Sequence, residues 1–360
     1  MTKDGRRALR RTRPKAVAVG VLALAFTFLV VAGATGLVGA PGKVVDASYR
    51  ATLADESRGP VVSDPTQTPD PLPTARPTAK PQQVVRAGKA LARVVETPEP
   101  ELPDVEIPTT AEFTVSSFNV LGASHSDAGG TSARFSSGET RMGYTVQLLR
   151  QYGIDVVGFQ EFETEQYNSF KRQTGAEYGV YPGPALGRNS IRNSIAWRTD
   201  TWELVSGNSI PIPYFSGSRV KMPYIRLRHL ASGQEVWFIN VHNPASTKRH
   251  PGNERWRDMA AGMEINLVNR LRNETGLPVI LTGDFNEREE AFCRITAQAS
   301  VQAANGGSSG DGGCRRPDQM GIDWIFGSLS IAFSNYARHD DGLVSRASDH
   351  PMIVADAVIG

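Results

Sequence analysis

The sequence predicts an α/β protein whose folded part runs from residue 111 to residue 360, and three observations carry that expectation. Nearly all the Trp, Tyr and Phe residues fall in this stretch, whereas residues 41–110 hold almost none. Within it, β-branched and aromatic runs at 112–119, 155–160, 193–198, 223–229, 235–242, 278–283, 322–327 and 352–358 read as strands. They alternate with helical stretches at 138–152, 162–173, 253–274 and 287–298, a mixed pattern that needs helices layered on sheets. Finally, several of the apolar runs stop on an acid, an amide or an imidazole, so the polar groups collect at one edge of a sheet.

Taken in chain order, residues 1–40 are a targeting segment and not part of the fold. Lys3, Arg6, Arg7, Arg10, Arg11, Arg13 and Lys15 precede an uncharged apolar stretch from Ala16 to about Ala40. This is the layout of a signal peptide or an N-terminal membrane anchor. Such a stretch can span a bilayer, which needs about 20 apolar residues. The positive flank predicts a cytoplasmic N-terminus and an exported remainder. Ala32-Gly33-Ala34 offers a cleavage site, but the apolar run continues through Leu37 and Val38, which favours an anchor over cleavage. With no polar face the run does not suit a buried core helix. The Arg6-Arg7 pair faintly resembles a twin-arginine signal, although arginine pairs are common in such leaders.

Residues 41–110 read as a Pro/Thr-rich disordered linker. Segments such as Thr68-Pro69-Asp70-Pro71-Leu72-Pro73 and Arg76-Pro77-Thr78-Ala79-Lys80-Pro81 bury too little apolar surface to offset chain entropy, and extended polyproline-like spacing follows. One short amphipathic helix fits residues 84–95. The net charge of +2 over 360 residues excludes the strongly basic composition of a general nucleic-acid binder. Cys293 and Cys314 are the only cysteines, and in an exported protein an isolated pair reads most simply as one disulfide, with two free thiols as the alternative. A sulfur-based metal site does not suit the carboxylates and amides around it.

Five segments carry the chemistry: Ser117-Phe118-Asn119, Gln160-Glu161, Val241-His242-Asn243, Gly283-Asp284-Phe285-Asn286 and Ser348-Asp349-His350. Hydrolysing a phosphodiester needs a cation to neutralise developing charge, a base to orient water and donors for the equatorial oxygens. Hard oxygen ligands for Mg²⁺ together with imidazoles supply these. Each segment alone has a plainer meaning. An Asn after a strand is commonly a turn residue, Glu161 suits a surface helix start, and an isolated Gly-Asp-Phe-Asn suits a capped helix. Asp323, inside the apolar Ile322-Asp323-Trp324-Ile325-Phe326, needs a partner if buried, because an unpaired carboxylate in a core is costly.

In this order, over residues 111–360, the segments resemble the endonuclease/exonuclease/phosphatase superfamily of DNase I-like metal-dependent phosphoesterases. The resemblance implies a four-layer αββα sandwich of two mixed β-sheets flanked by helices. It also implies roles. Glu161 is the principal metal ligand, with Asn119 and Asp349 completing the metal shell. Asp284 orients or deprotonates the attacking water, and Asn286 binds phosphate. His242 and His350 stabilise transition-state charge, and Asp323 stands behind His350 to fix its tautomer. Asn193 occupies the place of a residue that orients His242. Some relatives carry an acid there, and this amide weakens a specifically DNase I-like reading. Lys221 and Arg192 are the candidate substrate contacts, with a solvated Lys the plainer reading of the former. His125, His229, His250 and His339 read as structural or solvated.

The expectation is therefore an exported or cell-surface, Mg²⁺-dependent phosphoesterase acting on phosphodiesters, with Mn²⁺ or Ca²⁺ as alternative ions, working as a monomer. Nucleic acid ranks ahead of phospholipid and inositol phosphate as substrate. The His242-Asn243-Pro244 loop differs from that of abasic-site endonucleases. A sphingomyelinase-like enzyme would need an exposed apolar hairpin, for which Pro211-Ile212-Pro213-Tyr214-Phe215 is the candidate. An inositol-phosphatase-like enzyme is another alternative. The rival of a different class, a non-catalytic surface-binding protein on the same fold, is disfavoured by the intact set of acids, amides and histidines.

Overall fold

A computed structural model of the chain describes residues 109–310 and 312–360. The expected leader (1–40) and nearly all of the expected linker (41–110) lie outside the described residues. Among the described residues no helix is long and apolar enough to cross a membrane.

The first strand, β1 (Ala111–Asn119), forms the middle of a six-stranded sheet. It runs parallel to β2 (Val156–Gln160), and a parallel pair needs a crossover. Helix α2 (Gly138–Gln151) makes it, capped by the Ser137 side chain, which accepts from the Thr140 amide. Helix α3 (Thr164–Thr174) follows β2, and strands β3 (Tyr178–Tyr181) and β4 (Ile195–Arg198) extend the sheet beyond it. The second six-stranded sheet repeats the device. Its outer strands β5 (Trp202–Pro213) and β6 (Arg219–His229) lead antiparallel into β7 (Glu235–His242). The long helix α4 (Glu254–Thr275) then crosses to β8 (Val279–Asp284), parallel to β7.

Helix α5 (Glu289–Gln298) and strand β9 (Val301–Ala303) come next, followed by the hairpin of β10 (Ser308–Gly310) and β11 (Gly313–Arg315). The disulfide Cys293–Cys314 ties this hairpin to α5, across 21 positions of sequence. Strand β12 (Asp323–Ser328) returns antiparallel to β8. Strand β13 (Ala332–His339), the short helix α6 (Val344–Ala347) and β14 (Met352–Ile359) complete the first sheet, with β14 inserted between β13 and β1.

Three apolar layers separate four layers of structure. Phe113, Val115, Ile353 and Ala355 of the first sheet meet Ile225, Phe238, Ile280 and Ile325 of the second. Met142, Leu149 and Phe170 of α2 and α3 cover the outer face of the first sheet, while Ile265, Val268 and Phe292 of α4 and α5 cover that of the second. The result is the expected αββα sandwich of two mixed sheets.

A polar seam interrupts the central layer. Gln160 Nε2 donates to Asn240 Oδ1 at 2.7 Å, Asn240 Nδ2 donates to the Phe159 carbonyl at 2.7 Å, and Thr282 Oγ1 donates to Asn240 Oδ1 at 3.1 Å. Gly158 makes room for it, since a Cβ there would lie 2.1 Å from Thr282 Oγ1. These groups are buried and therefore require partners, which they find across the two sheets.

All twelve expected elements are present to within a few residues. Six strands were unforeseen: β3, β5, β9 and β13 are edge strands with mixed and half-exposed faces that lack a clean period, and β10 and β11 are three-residue, Gly/Ser-rich strands of a separate exposed hairpin. In β5, Pro211 and Pro213 also argue against a strand, but an edge position tolerates them. The segment offered as an exposed apolar hairpin does lie at the tip of the β5–β6 hairpin, but of its five residues only Pro211 is exposed, with Tyr214 and Phe215 half-buried. Ile212 and Pro213 are buried and Ile212 belongs to the core against α4, because the run is the end of a strand whose apolar face points inward.

Candidate active site

Strand register sets the site. In the parallel pairs Asn119 stands opposite Gln160 and His242 stands opposite Asp284, so both pairs end at the same rim of the sandwich. Antiparallel β12 begins there, with Asp323 opposite Asp284. The loop before β14 brings His350 to that rim.

Left-handed backbone at three non-glycine residues shapes the rim: Leu121 (φ 51°), Glu161 (φ 58°) and Asn286 (φ 52°). Such conformations cost roughly 1–3 kcal/mol and persist where surrounding structure enforces them. At Glu161 the kink breaks β2 immediately after Gln160. Its carboxylate accepts from Asn119 Nδ2 at 3.1 Å and from the Gly122 amide at 2.9 Å. At Asn286 the turn lets its amide donate to Asp284 Oδ1 at 2.9 Å, while its side chain donates to the Asn243 carbonyl at 2.8 Å.

Asp284 Oδ2 is the hub. Asn119 Nδ2 lies 3.2 Å from it, His242 Nε2 3.5 Å and His350 Nε2 3.7 Å. Asn119 Nδ2 is also 3.5 Å from His350 Nε2. Behind His350, Nδ1 lies 3.1 Å from both oxygens of Asp323. Burial opposes the His350 charge, but the hydrogen bond and the charge of Asp323, with Asp284 and Asp349 adding, push its pKa up to about 10. Burial lifts the Asp323 carboxyl to about 6 against that same bond. Near neutral pH the pair is thus an imidazolium facing a carboxylate. Burial also works to raise Glu161, but His242, the Gly122 amide, His125 and Asn119 outweigh it and hold the carboxyl below its ordinary value.

The sequence did not point to several of these partners. Tyr214 OH lies 3.4 Å from His242 Nδ1. Burial, with Glu161 and Asp284 nearby, raises the phenol pKa and keeps the hydroxyl protonated, so it holds the His242 ring with Nε2 toward Asp284. His125, expected to be structural or solvated, has Nε2 3.3 Å from Glu161 Oε2. Fully buried Arg141 donates to the carbonyls of Val120, Ser136, Ala347 and Gly122, lacing together the loops that carry the rim. Ser348 Oγ donates to the Asn119 carbonyl at 2.6 Å and accepts from the His350 amide at 3.1 Å. All of these are contacts between distant segments or to backbone, which leave no motif in a single sequence.

Four expected site residues stand apart from the hub. Asn193 makes no hydrogen bond to His242. Its side-chain oxygen is buried without a partner among the described residues and its backbone carbonyl accepts from Asn240, while Tyr214 lies against the ring nitrogen it was expected to orient. Arg192 is engaged with Glu163 at 2.5 Å. Lys221 is exposed on β6 opposite Pro211 and makes no ion pair among the described residues. Asp349 is exposed beside His350, also with no hydrogen bond among the described residues.

The donor set suits a hard divalent cation. The Glu161 and Asp284 carboxylates face each other across one carboxamide with no Lys or Arg among their partners, and Asp284, Asp323 and His350 offer ligand atoms all within 4.8 Å of one another. Carboxylates to hold a cation and polarise water, with imidazoles for a charged phosphorus centre, on two facing mixed sheets, define a phosphoric ester hydrolase. The chain belongs to the endonuclease/exonuclease/phosphatase family, whose model it matches over residues 116–350, and that family is metal-dependent.

No curated protein matches the chain. Among solved structures it is similar to an endonuclease/exonuclease/phosphatase family protein from Bacteroides thetaiotaomicron, at 20% identity and a TM-score of 0.54, covering 70% of this chain and 99% of that one. A mannosyl-6-phosphatase from the same species matches at 20% identity and a TM-score of 0.52, covering 68% and 99%. A humanized TDP2 from D. rerio matches at 17% identity and a TM-score of 0.52, covering 68% and 98%. These likenesses report the shared fold.

Proposed function

We propose that the protein is a Mg²⁺-dependent phosphodiesterase acting on nucleic acid, exported or held at the cell surface. The observation that carries the catalytic reading is the convergence of Asn119, His242 and His350 on Asp284 Oδ2, with Glu161 joined through Asn119. Glu161 and Asn119 would hold the cation, which would supply charge neutralisation on a phosphoryl oxygen and acidify water. Asp284, fixed by the Asn286 amide, orients the attacking water and accepts its proton. His350, charged by Asp323, and His242, held by Tyr214, face the equatorial oxygens as negative charge develops.

Export is read from the basic residues 3–15 followed by the apolar stretch 16–40, and an anchor at 16–40 would hold the domain at the outer face of the membrane. The catalytic unit is read as a monomer. The inward packing of Ile212 and Pro213 disfavours a lipid-inserting hairpin, and so favours a soluble diester.

A panel of duplex DNA, single-stranded RNA, sphingomyelin, inositol phosphates, mannose 6-phosphate and bis(4-nitrophenyl) phosphate, assayed with Mg²⁺, Mn²⁺ and Ca²⁺, tests the reading. Nucleic-acid cleavage that EDTA abolishes, and that Asp284→Asn lowers by about two orders of magnitude or more, is expected. Retained turnover in that variant would refute the mechanism.

A further inference from the structure

Beside His350 the rim opens into a cleft of about 510 Å³, within the range of small-ligand sites, roughly 300–1,000 Å³. Its walls come from three separate segments: Arg134 and Phe135 after α1 (Ala123–Ser126), Arg338 on β13, and Arg346 on α6. Two of these arginines have no carboxylate partner among the described residues. Arg134 lies with its guanidinium 4.8 Å from the centre of the half-buried Phe135 ring. Arg346 stacks at 4.4 Å on the Tyr144 ring and donates to its hydroxyl at 2.6 Å. Among the described residues Arg338 is engaged only with Asp340, at 3.4 Å. Against the three guanidinium groups the lining sets two acids, Asp340 and Asp349, the first already taken by Arg338.

Arginines held on aromatic faces without a carboxylate partner keep N–H groups available for oxyanions, and phosphate is one that a guanidinium binds with two parallel bonds. An aromatic ring beside them offers the stacking surface that unstacked bases use. None of Arg134, Arg338 and Arg346 touches the hub, so the cleft adds a second anion-binding position beside the catalytic one.

We propose that this cleft seats a second phosphate of the substrate, the one neighbouring the scissile diester along a nucleic-acid strand, with Phe135 supporting the adjoining base. The inference rests on the phosphodiesterase reading and deepens it. The enzyme then selects substrates bearing two phosphates, and an isolated diester is a poor substrate even where its chemistry is identical.

The test compares three kinds of substrate: bis(4-nitrophenyl) phosphate, dithymidine with its single internal diester, and dithymidine carrying an added 5′- or 3′-terminal phosphate. The added phosphate at one of the two ends is expected to raise kcat/KM by about ten-fold or more, the effect of one charge-assisted pair of bonds. In Arg134→Ala/Arg346→Ala, checked for an unchanged melting temperature, that ratio is expected to fall toward one. A wild-type enzyme that cleaves both plain diesters but gains nothing from a second phosphate, whether on a nucleotide or on an inositol, overturns the assignment of the cleft and leaves the phosphodiesterase reading standing. A gain that survives the double variant overturns it equally. Failure to cleave either plain diester with any divalent ion overturns the phosphodiesterase reading and this inference with it. Inositol 1,4-bisphosphate against inositol 1-phosphate separates the sources of phosphate. A gain there without one on the nucleotides keeps the second-phosphate site and overturns the nucleic-acid strand as its occupant.

Discussion

Asp323→Asn isolates the electrostatic part of the proposed mechanism, because it removes one charge and almost no volume. Both Asp323 oxygens lie 3.1 Å from His350 Nδ1, and their hydrogen bond and charge are the leading influences that lift the ring to about 10 against burial. Without them burial is opposed only by the lesser pull of Asp284 and Asp349, so the ring should titrate well below about 10, toward its ordinary value of about 6.5. At pH 8 its charged fraction then falls from nearly all toward about 3%, and the loss of orientation adds to this. Together these should lower kcat by roughly 10²–10³ at pH 8, the range of a lost transition-state donor. At pH 5.5 the ring recharges, and the deficit should shrink to about ten-fold, the part due to orientation. The assay is hydrolysis of bis(4-nitrophenyl) phosphate from pH 5.5 to 8.5 at saturating Mg²⁺, with metal affinity measured by calorimetry to show that the variant still loads its ion. A deficit that is flat across this pH range, or a rate near wild type at pH 8, would refute the claim that Asp323 acts by keeping His350 charged.

Three other expectations follow from particular contacts. Tyr214→Phe deletes the hydroxyl beside His242 Nδ1 and should lower kcat about 2- to 10-fold with little change in KM, the worth of one neutral hydrogen bond. Glu264 is fully buried, and burial pushes its carboxyl up to about 8, with Asn243 and Arg294 pulling the other way. Because the folded-state value is raised, the associated stability is fully present below about pH 4.5 and is lost as pH rises through about 8, a loss of at most about 5 kcal/mol. Glu264→Gln should therefore flatten the fall in melting temperature between pH 5 and pH 8, and an unchanged slope would exclude Glu264 as its source. Replacing Cys293 and Cys314 by Ala opens a loop spanning 21 positions and should cost about 3 kcal/mol, roughly 6–12 °C in melting temperature. A shift below 2 °C, on the order of half a kilocalorie, would mean that the hairpin holds itself.

What could be read from the sequence was whatever a strand announces about itself. Val156–Phe159, Val236–Ile239 and Val279–Leu281 are apolar because both faces are buried, and a lone acid or imidazole at the end of such a run stands out. Asp323 is the clearest instance, since an acid inside Ile322–Phe326 required a partner, and His350 lies against it. Edge strands such as Trp202–Pro213 and Ala332–His339 face solvent on one side, and their mixed composition hid them. Side-chain partners were the hardest to foresee. Tyr214 comes 28 positions before His242, and only the fold of β5 onto β6 and β7 brings the phenol to the ring in the place assigned to Asn193. The positioning of the rim by Arg141 was equally silent, because its acceptors are main-chain carbonyls, which every sequence has.

The hydrogen-bonded seam of Gln160, Asn240 and Thr282 lies immediately below the rim, where the two halves of the sandwich meet. Two greasy surfaces in contact can creep past one another by fractions of a side chain as residues between them change. A lock of directional bonds has no such intermediate settings. Substitutions deeper in the sandwich interior can therefore accumulate over generations without dragging the reactive groups out of alignment, which insulates the chemistry from wear in the material that supports it.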